Sequence, residues 1–391
     1  MIAPFVFARN PAIQFGSGKI SVLPKAVKAY GKHVLIITGA ASFINSKTWA
    51  KLQDDFSNNG ITWDHFTIDK EPSPSLVDEC VKNFQEKNIE VVVAIGGGSV
   101  LDAGKAISAM LREKASVQLF LEGVGTRTHS GNKVPFIAVP TTSGTGSEAT
   151  KNAVLSEVGE QGFKKSLRHD NFVPDLAIVD PDLTLSCPKH ITAYTGMDAF
   201  TQLLESFLST NANPMTDSLA LEGLKRISAS LVNCYENGKT DIGARTDMAY
   251  ASLISGITLA NAGLGTVHGF ASTIGGYFDI PHGVICSALM GPVNNITVKS
   301  LQQKDPDNIA LQKYAEVGKL FSKDKNKSDA YYIEFILTQI DELTKRLEIP
   351  KLSAFNLTGK DIDRIVTGSD NKNNPVKLSP EQMAKALEMA L

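Results

Sequence analysis

Cysteine is scarce in this chain, and no surplus of charge of either sign is present. Cys80, Cys187, Cys234 and Cys286 are the only four cysteines among 391 residues, and no two form a C-x-x-C pair. Scattered thiols of this kind exclude a disulfide framework and read as free, mostly buried side chains in a reducing cytoplasm. A net charge of −2 gives no reason to expect nucleic acid or an acidic membrane surface as partner. No apolar run reaches the roughly 18 residues that a membrane span needs. The first residues, Met1-Ile-Ala-Pro-Phe5, lack a basic segment followed by an apolar core, so no secretory signal is expected. There is no internal repeat. Two familiar phosphate motifs are also missing. A G-x-G-x-x-G fingerprint would need glycine at Leu101, and a P-loop would need glycine at Ser99 and a hydroxyl at Ala106.

What the chain does have is the stretch Glu90 to Lys105. Val91 to Ile95 is an unbroken apolar, mostly β-branched run, which predicts a strand buried on both faces of a parallel sheet. Gly96, Gly97 and Gly98 then suggest a tight turn with positive φ and no Cβ in the way of a ligand. Ser99 and Asp102 have the spacing of a capping box, ahead of a helix through about Met110. Strand, bare turn and helix N-terminus together make an anion site, with a phosphate or pyrophosphate as the expected guest.

Around this stretch, strands are expected near Phe5–Phe7, Ile13–Phe15, His33–Thr38, Thr62–Ile68, Lys133–Val139 and Leu176–Asp180, with helices between them. Alternating β and α up to about residue 183 means an α/β domain with a mainly parallel sheet. From Pro188 onward helical periodicity dominates, in nine segments from Gly196–Ser209 to Pro380–Met389. A chain of this length exceeds one ordinary core. Two domains are therefore expected, residues 1–185 an α/β domain carrying the anion site and residues 186–391 all-helical.

Several motifs occur in one order: Ile95-Gly-Gly-Gly-Ser-x-x-Asp102-x-x-Lys105, Pro140-Thr-Thr-Ser-Gly-Thr-Gly-Ser-Glu148, Asp180-Pro-Asp-Leu-Thr184, Thr195-Gly-Met-Asp-Ala199, Val267-His-Gly269 and Ile280-Pro-His-Gly283. Together they resemble the iron-containing (group III) alcohol dehydrogenases over essentially the whole chain. The resemblance implies an architecture like that of dehydroquinate synthase, with a nucleotide domain, a helical domain and a catalytic cleft between them. It also implies NAD(P)-dependent interconversion of primary alcohols and aldehydes, commonly in a homodimer. Carried over by position, Gly97, Gly98 and Ser99 would cradle the cofactor pyrophosphate, and Thr141, Thr142 and Thr145 would line its ribose and nicotinamide. A divalent Fe²⁺ or Zn²⁺ would be held by Asp198, His268 and His282, with His268 and His282 also the catalytic candidates. The chain departs from the family at Gln202, which stands where a histidine ligand belongs, and at Ser272, where many members carry another histidine. A neutral amide oxygen is a poor ligand beside imidazole, so a metal-poor centre is expected. The substrate pocket is expected to include Phe270, Phe278 and the loop after Ala149.

Cofactor choice follows from the strand His33–Thr38. It ends in Gly39-Ala-Ala-Ser42 with no carboxylate before Asp54, while Lys47 and Lys51 lie on the following helix. An acidic residue there would bind a ribose 2′-hydroxyl and repel a 2′-phosphate. Its absence predicts NADP(H) over NAD(H), with Gly39 and Ser42 in the site. Two other readings exist: a catalytically weak NADPH-binding reductase, motivated by Gln202 and Ser272, and a lyase of the dehydroquinate synthase type.

Overall fold

The computed structural model describes residues 2–391. The chain forms two compact units, one of Ala8–Glu157 with Lys164–Cys187, the other of the segment up to Phe7 with Val158–Phe163 and Pro188–Leu391.

In the first unit the strands are β1 (Ala12–Phe15), β2 (His33–Gly39), β3 (Thr62–Ile68), β4 (Val91–Gly96), β5 (Phe136–Pro140), β6 (Asn152–Glu157), β7 (Phe163–Arg168) and β8 (Leu176–Val179). The helices are α1 (Leu23–Lys28), α2 (Lys47–Asn58), α3 (Pro74–Phe84) and α4 (Gly98–Met110). Six strands form one sheet in the order β1-β8-β5-β4-β2-β3, every pair parallel, and β6 and β7 form a separate two-stranded ribbon. The β-branched run predicted as a doubly buried strand is β4, all six of whose residues are buried. One face of the sheet, with Val34, Ile36, Val91, Val93, Ile95, Ile137, Val139 and Ile178, packs against Leu23, Val27, Trp49, Leu52 and Phe56. On the other face Gly104 lets α4 lie close on β4, since a Cβ there would come within 2.6 Å of that of Ala94.

The strand order fixes where a ligand can bind. From β2 the chain moves outward to β3, then returns to the other side of β2 to form β4. Neighbouring loops therefore leave the carboxyl ends of β2 and β4 in opposite directions, and such a reversal opens a crevice in a parallel sheet. Gly39 ends β2 and Gly96 ends β4, so two of the segments singled out in the sequence flank one crevice.

The second unit is helical: α5 (Lys189–Leu208), α6 (Pro214–Asn237), α7 (Ile242–Ala262), α8 (Thr266–Tyr277), α9 (His282–Lys304), α10 (Ile309–Phe321), α11 (Asp329–Arg346), α12 (Ile362–Gly368) and α13 (Pro380–Ala390). From Gly196 to Leu208 every residue of α5 is buried, the mark of a helix surrounded by others rather than lying on a surface. α8, α9, α12 and α13 share an apolar core that includes Val267, Phe270, Ile274, Ile285, Leu289, Ile365 and Leu387.

Some expectations are corrected. Phe5–Phe7 is not a strand, and Val6 is 87% exposed, so no apolar face is buried that could favour one. The β6–β7 ribbon was not anticipated. α5 begins seven residues before the expected Gly196, and α9 runs on to Lys304 with Pro292 inside it. Phe270 does not line a pocket. It is fully buried in the helical core, whereas Phe278 is only partly buried beside that core. Among the described residues no helix is long and apolar enough to cross a membrane.

Candidate active site

In the first unit the glycine run at the end of β4 is built differently from its sequence signature. Gly97, not Ser99, is the N-cap of α4, with φ −75° and ψ −175°, and no side chain caps the helix. None of Gly96, Gly97 and Gly98 has a positive φ. Crowding instead requires glycine at Gly96 and Gly98 and leaves a tight fit at Gly97. A Cβ on Gly98 would come within 2.6 Å of Thr145 Cγ2, one on Gly97 within 3.3 Å of Thr142 Oγ1, and one on Gly96 within 2.5 Å of Val100 Cβ. The glycine turn and the threonine loop are thus a single layer, tied by Thr141 N donating to Gly96 O at 2.9 Å. Ser99 and Asp102 are committed elsewhere. Ser99 Oγ donates to Glu71 Oε1 at 2.9 Å, and Asp102 Oδ1 accepts from Ser147 Oγ at 2.5 Å.

Beneath this layer Lys105 is fully buried. Its Nζ donates to Ser147 O, Ser147 Oγ, Thr150 Oγ1 and Asn152 O at 2.6–3.1 Å. The lysine therefore pins the loop after Gly146 to α4. Burial pulls its pKa down to about 8, against the opposing pull of Asp102 and Glu148. Burial likewise pushes the Glu148 carboxyl up to about 7. A fit to a dinucleotide rests on the open N-terminus of α4, whose first N–H groups have no intrahelical partner. It rests also on Ser143 Oγ, which is buried and makes no hydrogen bond. Gly39 is half-buried at the end of β2, where a Cβ would find only ordinary contact with Val100 at 3.9 Å. Ser42 is exposed in the turn that follows.

In the second unit α5, α8 and α9 bring Asp198, His268, His282 and Cys286 together, their ligand atoms all within 4.8 Å of one another. His268 Nε2 lies 3.4 Å and His282 Nε2 3.7 Å from Asp198 Oδ1. Cys286 Sγ lies 3.6 Å from each of the two Nε2 atoms. Asp198 is only 1% exposed, and its Oδ1 accepts no hydrogen bond. Its other oxygen accepts from Gln202 Nε2 at 3.2 Å, while Gln202 Oε1 accepts from Ser255 Oγ at 2.9 Å. In this arrangement Gln202 turns its amide nitrogen toward the cluster and spends its oxygen on α7. Ser272 Oγ turns back to its own helix and donates to His268 O at 2.9 Å.

Sequence reasoning missed two residues here. Cys286 follows His282 by one helical turn, the spacing that puts two side chains on one face, so it was within reach of inspection. Glu205 was harder to see. It stands on α5 beyond Asp198 and Gln202, and its Oε2 takes the Nδ1 proton of His268 at 2.6 Å while Oε1 accepts from Val267 N at 2.7 Å. This bond fixes the tautomer and aims Nε2 at Asp198, as carboxylates behind metal-bound imidazoles do. For His268, burial disfavours the cation, but Cys286, Glu205 and Asp198 outweigh it and raise the pKa well above the usual value. For Asp198, burial works the other way from its charged neighbours His282 and His268, which hold the carboxyl below its ordinary range. Burial pushes the Cys286 thiol up to about 12. Glu205→Ala should therefore leave His268 free to turn, and should cost about 10–100-fold in metal affinity or activity. Metal titration of the variant checks this, and an unchanged affinity would make Glu205 a bystander.

Comparison with known proteins agrees with both units. Residues 10–181 match the iron-containing alcohol dehydrogenase family, and residues 192–391 match the C-terminal Fe-containing alcohol dehydrogenase family. The chain is 36% identical over 311 residues to long-chain-alcohol dehydrogenase 1 of Geobacillus thermodenitrificans, covering 77% of this chain and 76% of that protein. It is 28% identical to the NADPH-dependent butanol dehydrogenase of Clostridium saccharobutylicum, over 96% of this chain and 95% of that one. The crystal structure of a 1,3-propanediol oxidoreductase superposes with a TM-score of 0.88 at 27% identity, covering all of both chains. A parallel six-stranded sheet carrying the glycine turn, a helical unit carrying the Asp198 cluster and matches across nearly the whole length have one reading: the chain belongs to the iron-containing alcohol dehydrogenase family.

Proposed function

We propose that this protein interconverts a small primary alcohol and its aldehyde by hydride transfer with a nicotinamide dinucleotide, preferring NADP(H). The observation that carries the reading is the Asp198–His268–His282 cluster on three buried helices of an alcohol dehydrogenase chain. The dinucleotide supplies or accepts the hydride. Gly97, Gly98 and Ser99 would hold its pyrophosphate at the N-terminus of α4, with Thr141, Thr142 and Thr145 beside the ribose and nicotinamide. A divalent ion held by Asp198, His268 and His282 would supply Lewis-acid polarisation of the substrate oxygen.

The protein's own groups divide the remaining work. Glu205 holds His268 in one tautomer, Gln202 holds Asp198, and Lys105 fixes the loop that lines the cofactor. His282, whose side chain is 24% exposed against 6% for His268, is the more accessible of the two catalytic candidates. Aldehyde-dependent oxidation of NADPH is the direct test. His268→Ala should abolish it while leaving NADP(H) affinity nearly intact, because the residue belongs to a different unit from the cofactor turn. Parallel loss of both would make His268 structural.

The preference for NADP(H) is supported by the end of β2. Gly39-Ala-Ala-Ser42 offers open backbone and an exposed hydroxyl, and Lys47 and Lys51 follow on α2. Lys51 pairs with Asp55 at 2.8 Å, but the lysine side chain is 69% exposed. Such surface pairs contribute little, about 0–1 kcal/mol, and can be exchanged for a phosphate. Competitive binding should favour NADPH, and Gly39→Asp should shift the preference toward NADH, since the site has room for the side chain. Tighter binding of NADH by the unaltered protein would overturn this. The same reading has the protein in the cytoplasm, supported by four buried cysteines that form no disulfide, and as a homodimer, supported by the family resemblance.

A further inference from the structure

We infer that Cys286 is a metal ligand, so that the ion is held by one carboxylate, two imidazoles and one thiolate, with Gln202 a positioning residue outside the set. The inference deepens the reading of this cluster as the metal-dependent centre of an alcohol dehydrogenase and rests on it. Its ground is the shape of the donor set. Around a tetrahedral zinc ion, bonds of about 2.3 Å to sulfur and about 2.0–2.2 Å to nitrogen and oxygen require sulfur–nitrogen edges of about 3.5–3.6 Å and nitrogen–oxygen edges of about 3.3–3.5 Å. Both sulfur–nitrogen distances here are 3.6 Å, and the nitrogen–oxygen distances are 3.4 and 3.7 Å. Four of the six edges among these donor atoms thus come close to the lengths such an ion requires, and all four atoms lie within 4.8 Å of one another.

Two further observations point the same way. Asp198 Oδ1 is buried and aimed into this group without a hydrogen bond, at a depth where an unsatisfied carboxylate oxygen is costly. Gln202, which holds the position of the family's remaining histidine, has its oxygen engaged by Ser255 and its nitrogen on Asp198. A nitrogen that donates to a ligand cannot also be one. The loss of a donor from α5 is therefore offset by a gain on α9, one turn beyond His282. On coordination the thiol gives up its proton to solvent as the sulfur–metal bond forms, so the ion replaces one proton. A thiolate also changes the choice of ion. It is a soft donor that suits Zn²⁺, whereas a wholly oxygen and nitrogen set suits harder ions. With Cys286 counted, four donors are present, and the metal-poor centre expected from Gln202 gives way to one that binds an ion firmly, the substrate oxygen entering as a fifth ligand.

The test is spectroscopic. The full-length protein is stripped of metal and titrated with Co²⁺, and its absorption is recorded alongside NADPH binding and aldehyde reduction. The expected result is one cobalt per chain with a thiolate-to-cobalt charge-transfer band in the near ultraviolet. The band should survive Gln202→Ala and vanish in Cys286→Ser. That serine variant should also bind Zn²⁺ more weakly by more than the roughly 10–100-fold that a supporting residue costs, while still binding NADPH, which shows that it is folded. Cobalt bound without the band, a band that persists in Cys286→Ser, or no stoichiometric cobalt at all would overturn the assignment. Should the band appear in a protein that reduces no aldehyde, the ligand set stands and the activity reading falls.

Discussion

A carboxylate buried without a counter-charge is among the least tolerable things a protein can contain, and Asp198 is the point on which the helical unit turns. Removing such a group from water costs several kcal/mol even after relaxation. It is tolerated here because α8 and α9 deliver two imidazoles within 3.7 Å of one oxygen, and Gln202 satisfies the other. The geometry that makes this possible is helical. α5 is buried from Gly196 to its end, so Asp198, Gln202 and Glu205 can project from one element into the interior at successive turns. Asp198 takes the cluster, Gln202 ties it to α7, and Glu205 reaches α8 to set the ring of His268. Replacing any of the three with an apolar residue would leave a buried polar partner unanswered elsewhere.

The first unit meets a different constraint, that of close approach. The glycines of the β4–α4 turn have no positive φ; Val100 and Thr145 fill the space a side chain would need at Gly96 and Gly98, and Thr142 leaves little at Gly97. The layer so formed is held from below by Lys105, whose ammonium is spent wholly on oxygens of the loop and its flanks. A buried lysine used in this way is a structural clamp, and its lowered pKa records the depth at which the clamp sits.

Much of this was legible in the sequence, and the gaps have physical causes. The β-branched run Val91–Ile95 and the change from alternating to helical periodicity near Pro188 are strong local signals, and the sheet and the helical unit follow from them. Ser99 misled because its position satisfied the capping pattern, yet Glu71, distant in sequence, claims its hydroxyl. The ribbon of β6 and β7 was overlooked because each strand is short and buries few apolar residues, Ala153 and Leu155 in β6 and Leu167 alone in β7. The expected helix His282–Asn294 continues to Lys304, because a helix packed on several sides keeps its course past the hydrogen bond missing at Pro292. Asp198, His268 and His282 were found through a family pattern, and that pattern directed attention to Gln202. Cys286 has no place in it and came to light only when the side chains were seen together.

The account stands or falls on whether the Asp198 cluster works through a bound cation. The most direct measurement is the rate of NADPH oxidation with a short aldehyde by metal-stripped protein, before and after one equivalent of Zn²⁺ or Fe²⁺ is restored. The account predicts a rate near background in the stripped protein and recovery on addition of the ion, with NADPH affinity the same in both. An equal rate in the stripped and the reconstituted protein would contradict it.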